Sequence, residues 1–279
     1  MILENTIQNA SQILKKNNIV THQLDAEIIL SHILNVKREF LITNNDIHIT
    51  KKIIKKFNHA INRRKNNEPV AYITGQKEFW SQNFSINKST LVPRPETELI
   101  IYKLINFFKN KSLNILDIGT GSGCILLSLL KELKLSRGTG IDISKKAIEV
   151  AITNSKNLKI LNRSKFRVTD INKFYCGKYD LIVSNPPYIL LKDLKNLSKD
   201  ISNYEPIIAL NGGLDGLDVI KKVIFKSKKL LKTGGLLAIE IGNNQHKKVL
   251  YLLNENGYRV KSKEFDYMKN VRCIISTKM

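Results

Sequence analysis

Four short stretches place polar, rigid or backbone-exposing residues where apolar runs end, and those are the places to look for chemistry. In DLIVSNPPYIL, residues 180–190, the run Leu181–Ser184 reads as a buried strand that stops at Asn185-Pro186-Pro187-Tyr188. Neither proline has an N–H for a strand ladder, so the strand ends abruptly and holds an amide and an aromatic ring around a stiff turn. In NILDIGTGSGC, Ile115 and Leu116 lead into Gly119, Thr120, Gly121, Ser122 and Gly123. Glycines there let the backbone take positive φ and approach a ligand beside a helix N-terminus. The spacing is not the dinucleotide fingerprint, because Cys124 occupies its last position, and no Lys-Ser/Thr closes a Walker loop. Asp142 ends the next apolar run, 19 residues after Gly123. It is placed either to accept hydrogen bonds from ribose hydroxyls or, with Ser144, to cap the helix that follows. Asp170 in FRVTDIN ends a third run. It either receives the amine of an adenine, with Ile171 on the ring, or caps its loop.

The elements that would position these residues alternate. Strands are expected near 114–118, 138–142, 165–169, 180–184, 235–241, 257–264 and 271–276, and helices near 96–109, 123–134, 144–155, 215–231 and 244–255. Such alternation predicts an α/β fold with a mostly parallel sheet covered on both faces, and the last two strands are compatible with an antiparallel hairpin. All four motifs then fall on the C-terminal edge of one sheet, where open α/β folds bind ligands.

Ahead of this region, residues 1–67 read as helical. Ile2, Leu3, Ile7, Ala10, Ile13 and Leu14 recur at helical spacing, Thr21 is placed to cap a second helix, and KKIIKKFNHAINRRK puts Ile53, Ile54, Phe57, Ala60 and Ile61 on one face of a basic helix. AYITGQKEFWSQNFSIN reads as a hairpin broken at Ser81-Gln82-Asn83. The expected organisation is a helical domain at 1–67, a β-hairpin linker at 68–90 and an α/β domain at 91–279.

Composition sets the outer bounds. At 279 residues and 42% hydrophobic, the chain can build a real core, and no apolar run reaches the roughly 18 residues of a membrane span. The N-terminus is amphipathic and lacks the cleavage site of a signal peptide. Cys124, Cys176 and Cys273 are too few and too widely spaced for a disulfide framework or a zinc site, and the five histidines are scattered, so a cytoplasmic protein without a metal is expected. The formal charge is +22. It admits a nucleic-acid partner without requiring one, because residues 1–67, with 11 Lys+Arg and 5 Asp+Glu, are about as basic as the rest.

The four motifs together resemble class I S-adenosylmethionine-dependent methyltransferases, whose fold is Rossmann-like, and in particular those that methylate a planar NH2 group. The Asn-Pro-Pro-Tyr motif is shared by adenine-N6, guanine-N2 and protein-glutamine methyltransferases. LDAEIILSHIL, REFLIT, EPVAYITGQKEFW, LVPRPETELI, YEPIIALNGGLDGLD and GGLLAIEIG narrow the resemblance, over roughly residues 20–279, to the protein-(glutamine-N5) methyltransferase family, also called PrmC or HemK. That resemblance implies methylation of the glutamine in the Gly-Gly-Gln motif of peptide-chain release factors, with S-adenosylmethionine as cofactor and S-adenosylhomocysteine as product. It also implies an N-terminal domain that helps to dock the release factor. By position, Gly119 to Gly123, Asp142, Asp170, Ile171 and Asn185 would hold the cofactor. Asn185, Pro186, Pro187 and Tyr188 would hold the amide, with Asn185, Pro186 and Tyr188 serving catalysis, and Arg94 and Glu96 would shape the pocket wall. The chain departs from the family at Ile171, where an aromatic residue is frequent, at Ile207, where a basic residue is common, and at FDYMKNVRCI, which matches an Asp-Leu-x-Gly-x-x-Arg pattern loosely. The rival expectations are a nucleic-acid methyltransferase using the same motif and a noncatalytic cofactor-binding module.

Overall fold

The computed structural model describes residues 2–279, which fall into two units: one runs to Gln76 and takes back Ser198–Tyr204, and the other holds Lys77–Leu197 and Glu205–Met279.

The first unit is helical: α1 (Leu3–Lys16), α2 (His22–Leu34), α3 (Arg38–Thr43), α4 (Lys51–Lys65) and α5 (Val70–Thr74). Leu3, Ile7, Ala10 and Leu14 of α1 meet Ala26, Ile29 and Leu30 of α2 and Phe57, Ala60 and Ile61 of α4 in one core. The lysines of α4 at 51, 52, 55 and 56 are exposed, so this basic helix is a solvated face over a core stripe. Thr21 precedes α2 but does not cap it; its hydroxyl donates to Asp25 Oδ2 at 2.9 Å. The same oxygen accepts from Arg64 Nε at 2.6 Å, and both members of this ion pair are buried. Removing one partner strands the other charge in the core, so Asp25→Ala is expected to cost about 3 kcal/mol in denaturant unfolding. A loss under about 1 kcal/mol would mean that water reaches and screens the pair.

The hairpin is shorter than its sequence suggests. Val70–Thr74 is helical and ends on Gly75 at φ 71°, although its Val, Tyr, Ile and Thr favour strands. Strands β1 (Gln76–Phe79) and β2 (Gln82–Ser85) turn at Trp80-Ser81, both at positive φ as a two-residue hairpin turn requires. Gln82 and Asn83 therefore lie in a strand, and only Ser81 of the expected break is in the turn.

The remainder of the second unit runs α6 (Glu98–Phe108), β3 (Asn114–Ile118), α7 (Cys124–Glu132), β4 (Arg137–Asp142), α8 (Lys145–Asn157), β5 (Ser164–Val168) and β6 (Tyr179–Ser184). After α9 (Lys199–Ser202), which belongs to the first unit, come α10 (Asp218–Leu230), β7 (Leu231–Glu240), α11 (His246–Glu255), β8 (Tyr258–Phe265) and β9 (Val271–Lys278). The sheet order is β5-β4-β3-β6-β7-β9-β8, and β9 alone runs antiparallel to the others. Central β3 is buried over Ile115–Ile118, as a strand covered on both faces must be. Edge strands β5 and β8 turn Lys165 and Arg167, and Arg259, Lys261 and Lys263, to solvent. Part of the +22 charge thus guards the sheet against pairing with another edge.

The register aligns the strand ends. Ile118 pairs with Ile141 and with Ser184, and Asp142 pairs with Val168. The chain winds outward from β3 through β4 to β5, then returns to place β6 on the other side of β3. That reversal is the topological switch point at which such sheets open a crevice.

Candidate active site

A cavity of about 570 Å³ occupies the crevice, within the usual range for small-molecule sites. Of the residues singled out above, Gly119, Thr120, Gly121, Ser122, Asp142, Asp170, Ile171, Asn185, Pro187 and Arg94 line it. Gly123, Pro186, Tyr188 and Glu96 do not. Gly119 and Gly121 sit at φ 73° and 55°, and a Cβ on Gly119 would meet no atom within 4 Å, so the turn leaves open space where a ligand backbone can approach. Gly123 serves a different purpose: at φ 80° it starts α7 and lets Ala151 of α8 pack close, 3.3 Å from where its Cβ would be.

Asp142 is clamped at the mouth of that turn. Its Oδ2 accepts from the Gly121 N–H at 3.0 Å and its Oδ1 from the Ser144 N–H at 2.8 Å. Burial holds its pKa above the ordinary aspartate value, against the opposing pull of its backbone donors. Ser144 caps α8 by accepting from the Ala147 N–H, so the helix does not depend on Asp142 for its cap. Asp170 does act as a loop cap, accepting from the Asn172 N–H at 2.6 Å, and it also reaches the cavity wall. Ile143, half-exposed on the same wall, presents apolar surface that no sequence motif marks.

The turn after β6 is fastened from several directions. Gln245 donates to the carbonyls of Tyr188 and Gly216 at 3.0 and 3.1 Å. A Cβ on Gly212 would lie 2.8 Å from Tyr188 Cα, so only glycine lets the NGG loop pass this turn. Arg94 pairs with Glu205 at 2.6 Å, joining the PRPET and YEPIIAL stretches at the cavity wall.

Behind Asn185 lies a polar network that sequence reading missed. Asn185 Nδ2 donates to Thr97 Oγ1 at 3.2 Å, and Thr97 donates to Glu240 Oε2 at 2.7 Å. The Tyr188 hydroxyl donates to Glu240 Oε1 at 3.3 Å, and Arg272 lies 5.7 Å from the centre of its ring. Thr97 and Glu240 are buried. Burial pushes Glu240 up to about 7 against the pull of Thr97 and Arg272, and pushes the Tyr188 phenol up to about 12, so Tyr188 keeps its proton. Buried Asp117, which accepts from the Thr120 hydroxyl at 2.7 Å, is likewise pushed up to about 7 by burial. Both acids interrupt otherwise apolar strands, NILDI and LLAIE, and that was the available signal.

In FDYMKNVRCI the acid and the arginine of the loosely matched pattern lie close together. Asp266 accepts from the N–H groups of Met268 and Asn270, each at 2.9 Å, and Arg272 lies 3.9 Å from it. Lys269 stands where the pattern has glycine and takes φ 63°. An L side chain is strained there, so Lys269→Gly is expected to stabilise the chain by about 0.5–1 kcal/mol in chemical denaturation. No gain would mean that the turn's hydrogen bonds already absorb the strain.

Comparison with known proteins bears on both units. Residues 5–75 match the family model described as PrmC N-terminal domain, and residues 109–277 match one described as Methyltransferase domain. The chain is 36% identical to a release factor glutamine methyltransferase of Clostridium acetobutylicum, over 100% of this chain and 99% of that one. It is 39% identical to the protein of that name from Fusobacterium nucleatum, over 95% of this chain and 76% of the relative. Among solved structures, ribosomal protein L11 methylase from Lactobacillus delbrueckii subsp. bulgaricus superposes with a TM-score of 0.50 at 22% identity, covering 67% of this chain and 81% of that one. That likeness bears on the fold alone, which is the Rossmann-like methyltransferase fold.

Proposed function

The chain belongs to the release factor glutamine methyltransferase family, and on that premise we propose that it transfers a methyl group from S-adenosylmethionine to the N5 amide nitrogen of the glutamine in the Gly-Gly-Gln motif of peptide-chain release factors. S-adenosylhomocysteine is the second product. The setting is the cytoplasm, and the reading requires no nucleic-acid contact. The helical unit, expected over 1–67, acts as the substrate-docking domain, the hairpin within 68–90 as the linker, and the α/β unit, expected over 91–279, as the catalytic domain.

The residues present fit the cofactor. The open space over Gly119 and Gly121 accommodates a ligand that a side chain would exclude. The carboxylate of Asp142 keeps lone pairs free for ribose hydroxyls beyond the two it commits to backbone N–H groups. Ile143 and Ile171 offer apolar surface to an adenine ring, and Asp170 offers an acceptor to its amine. When bound, S-adenosylmethionine supplies a methyl group already activated by the sulfonium charge.

The chain's own task is to position the amide. An amide nitrogen has a delocalised lone pair and is a poor nucleophile, but it carries two N–H donors. Asn185 Oδ1 accepts one of them and the carbonyl of Pro186 the other, aimed by the stiff Asn185-Pro186-Pro187 backbone. These two dipoles hold the nitrogen in line for transfer and favour the positive charge that develops on it. Tyr188, hydrogen-bonded to Glu240, forms a fixed aromatic support beside them. The surplus proton on the product nitrogen leaves to water.

What supports this reading most is the direction in which Asn185 stands. Its NH2 group is engaged by Thr97, which leaves its carbonyl as an acceptor, and an NH2 substrate needs an acceptor. The test is to incubate the purified chain with S-adenosylmethionine and either a release factor or unmodified rRNA, then locate any new methyl by peptide and nucleoside mass spectrometry. A methyl on the Gly-Gly-Gln glutamine alone is expected. A methyl on adenine or guanine instead would overturn the reading.

A further inference from the structure

We infer that Glu240, acting through the hydroxyl of Thr97, fixes which way round the Asn185 amide stands, and that methyl transfer depends on this two-bond relay. The inference rests on the reading of Asn185 as the acceptor for a substrate N–H, and it makes Glu240, together with Thr97 on the cavity wall, a pair of positioning residues.

The argument is one of hydrogen-bond polarity. An amide presents a donor end and an acceptor end of nearly identical shape, so packing alone does not choose between them. Thr97 has one hydroxyl proton. Ionised Glu240 can only accept, and at 2.7 Å it takes that proton. Thr97 can then only accept from Asn185, which must turn its Nδ2 inward, as the 3.2 Å bond records. The Asn185 carbonyl is therefore left for the cavity that Asn185 lines. The Tyr188 hydroxyl donates to the other Glu240 oxygen, so one carboxylate orients both ends of the Asn-Pro-Pro-Tyr turn.

Protonated Glu240 would reverse this polarity. A carboxylic acid donating to Thr97 frees the Thr97 proton for Asn185, whose carbonyl would then turn inward and leave its NH2 facing the substrate NH2. Two donors cannot pair. Several groups face Glu240 and set where this happens. Arg272 on β9 and the donors Thr97 and Tyr188 favour the charge, Glu96 disfavours it, and burial disfavours it most, placing the transition at about 7. Cys273, opposite Glu240 in the ladder, and Cys124 at the start of α7 are themselves held in the thiol form by burial and by this carboxylate. The raised folded-state pKa has two consequences of opposite direction. Between the ordinary glutamate value of 4.5 and about 7 the folded chain retains a proton that the unfolded chain has lost, so this group's contribution to stability declines as pH rises through that window. Turnover rises through the upper part of the same window, because the ionised form orients Asn185.

The experiment compares wild type, Thr97→Val, Thr97→Ser and Glu240→Gln, following kcat, KM, cofactor Kd and the pH profile of kcat. Thr97→Val, close in shape but without the hydroxyl, is expected to lower kcat by about 100-fold with KM and cofactor Kd within about threefold, and Thr97→Ser to restore most of that loss. Glu240→Gln still offers Thr97 a carbonyl acceptor but cannot ionise, so the acid limb near pH 7 should disappear while the plateau falls by no more than about tenfold. Undiminished kcat in Thr97→Val, or an acid limb that persists in Glu240→Gln, would overturn the relay. If Thr97→Val does not fold, the Glu240→Gln profile decides alone. A wild-type chain that methylates rRNA and not the release factor would sink the glutamine assignment, and the same variants on that substrate would still judge the relay.

Discussion

Asn185→Ala is expected to lower methyl transfer by about 10³-fold while changing affinity for S-adenosylmethionine by no more than a few-fold. The substitution removes the side-chain carbonyl proposed to receive one substrate N–H, and on that reading the target nitrogen then loses its alignment with the methyl donor. A misplacement of about 1 Å costs roughly 10²-fold, and the lost dipole, which faces the charge developing on nitrogen, accounts for the rest. The other residues proposed to hold the cofactor stay in place, because Gly119–Ser122, Asp142, Asp170 and Ile171 stand on other strand ends. Thr97 loses a donor but keeps its bond to Glu240, so no buried charge is uncovered. Asn185→Asp should not rescue turnover, since the Thr97 proton cannot serve a carboxylate on each side. Single-turnover rates and calorimetric cofactor binding check both halves of the prediction. A parallel collapse of binding and rate would show that Asn185 holds the cofactor first and the amide second.

The positions just named were legible because the sequence marks them locally. A strand that ends on Gly-x-Gly, on Asp or on Asn-Pro-Pro announces its own terminus, and parallel pairing must bring such ends to one edge. The register of β3, β4, β5 and β6 does so. The Asn185 relay was not legible for the opposite reason. Thr97 lies 88 residues from Asn185 and 143 from Glu240, and these partners meet only once β7 has taken its place beside β6. Sequence shows only that Glu240 and Asp117 are acids inside apolar runs. That anomaly asks for a partner without naming one.

Other departures come from local propensity yielding to context. Val70–Thr74 carries strand-forming residues, yet it closes as a helical turn that buries Tyr72. Lys269 hides a glycine position because the hydrogen bonds of Asp266 hold the turn without one. Asp170 caps its loop and lines the cavity as well, since a carboxylate has enough lone pairs to accept from a backbone N–H and still offer an acceptor to the cavity.

The complementary expectation to Asn185→Ala is Asp142→Ala, which should weaken S-adenosylmethionine binding by about 100-fold and change kcat at saturating cofactor little. Asp142 contributes twice. It is placed to receive the ribose hydroxyls, a charge-assisted interaction of roughly 1.5–3 kcal/mol, and it holds the Gly121 N–H that sets the glycine turn. Alanine abolishes both effects, and cofactor binding is the step in which both are used. The fold should survive, because Ser144 caps α8 independently and the lost carboxylate was a partly desolvated charge. Asp142→Asn separates the two contributions: its carbonyl can still accept from the Gly121 N–H, so it should bind more tightly than alanine and less tightly than wild type. Calorimetric titration of each variant, read beside kcat, makes the comparison. If Asp142→Ala binds the cofactor as wild type does and fails in turnover, the carboxylate serves the reacting end of the site, and the division of labour between the ends of β4 and β6 is wrong.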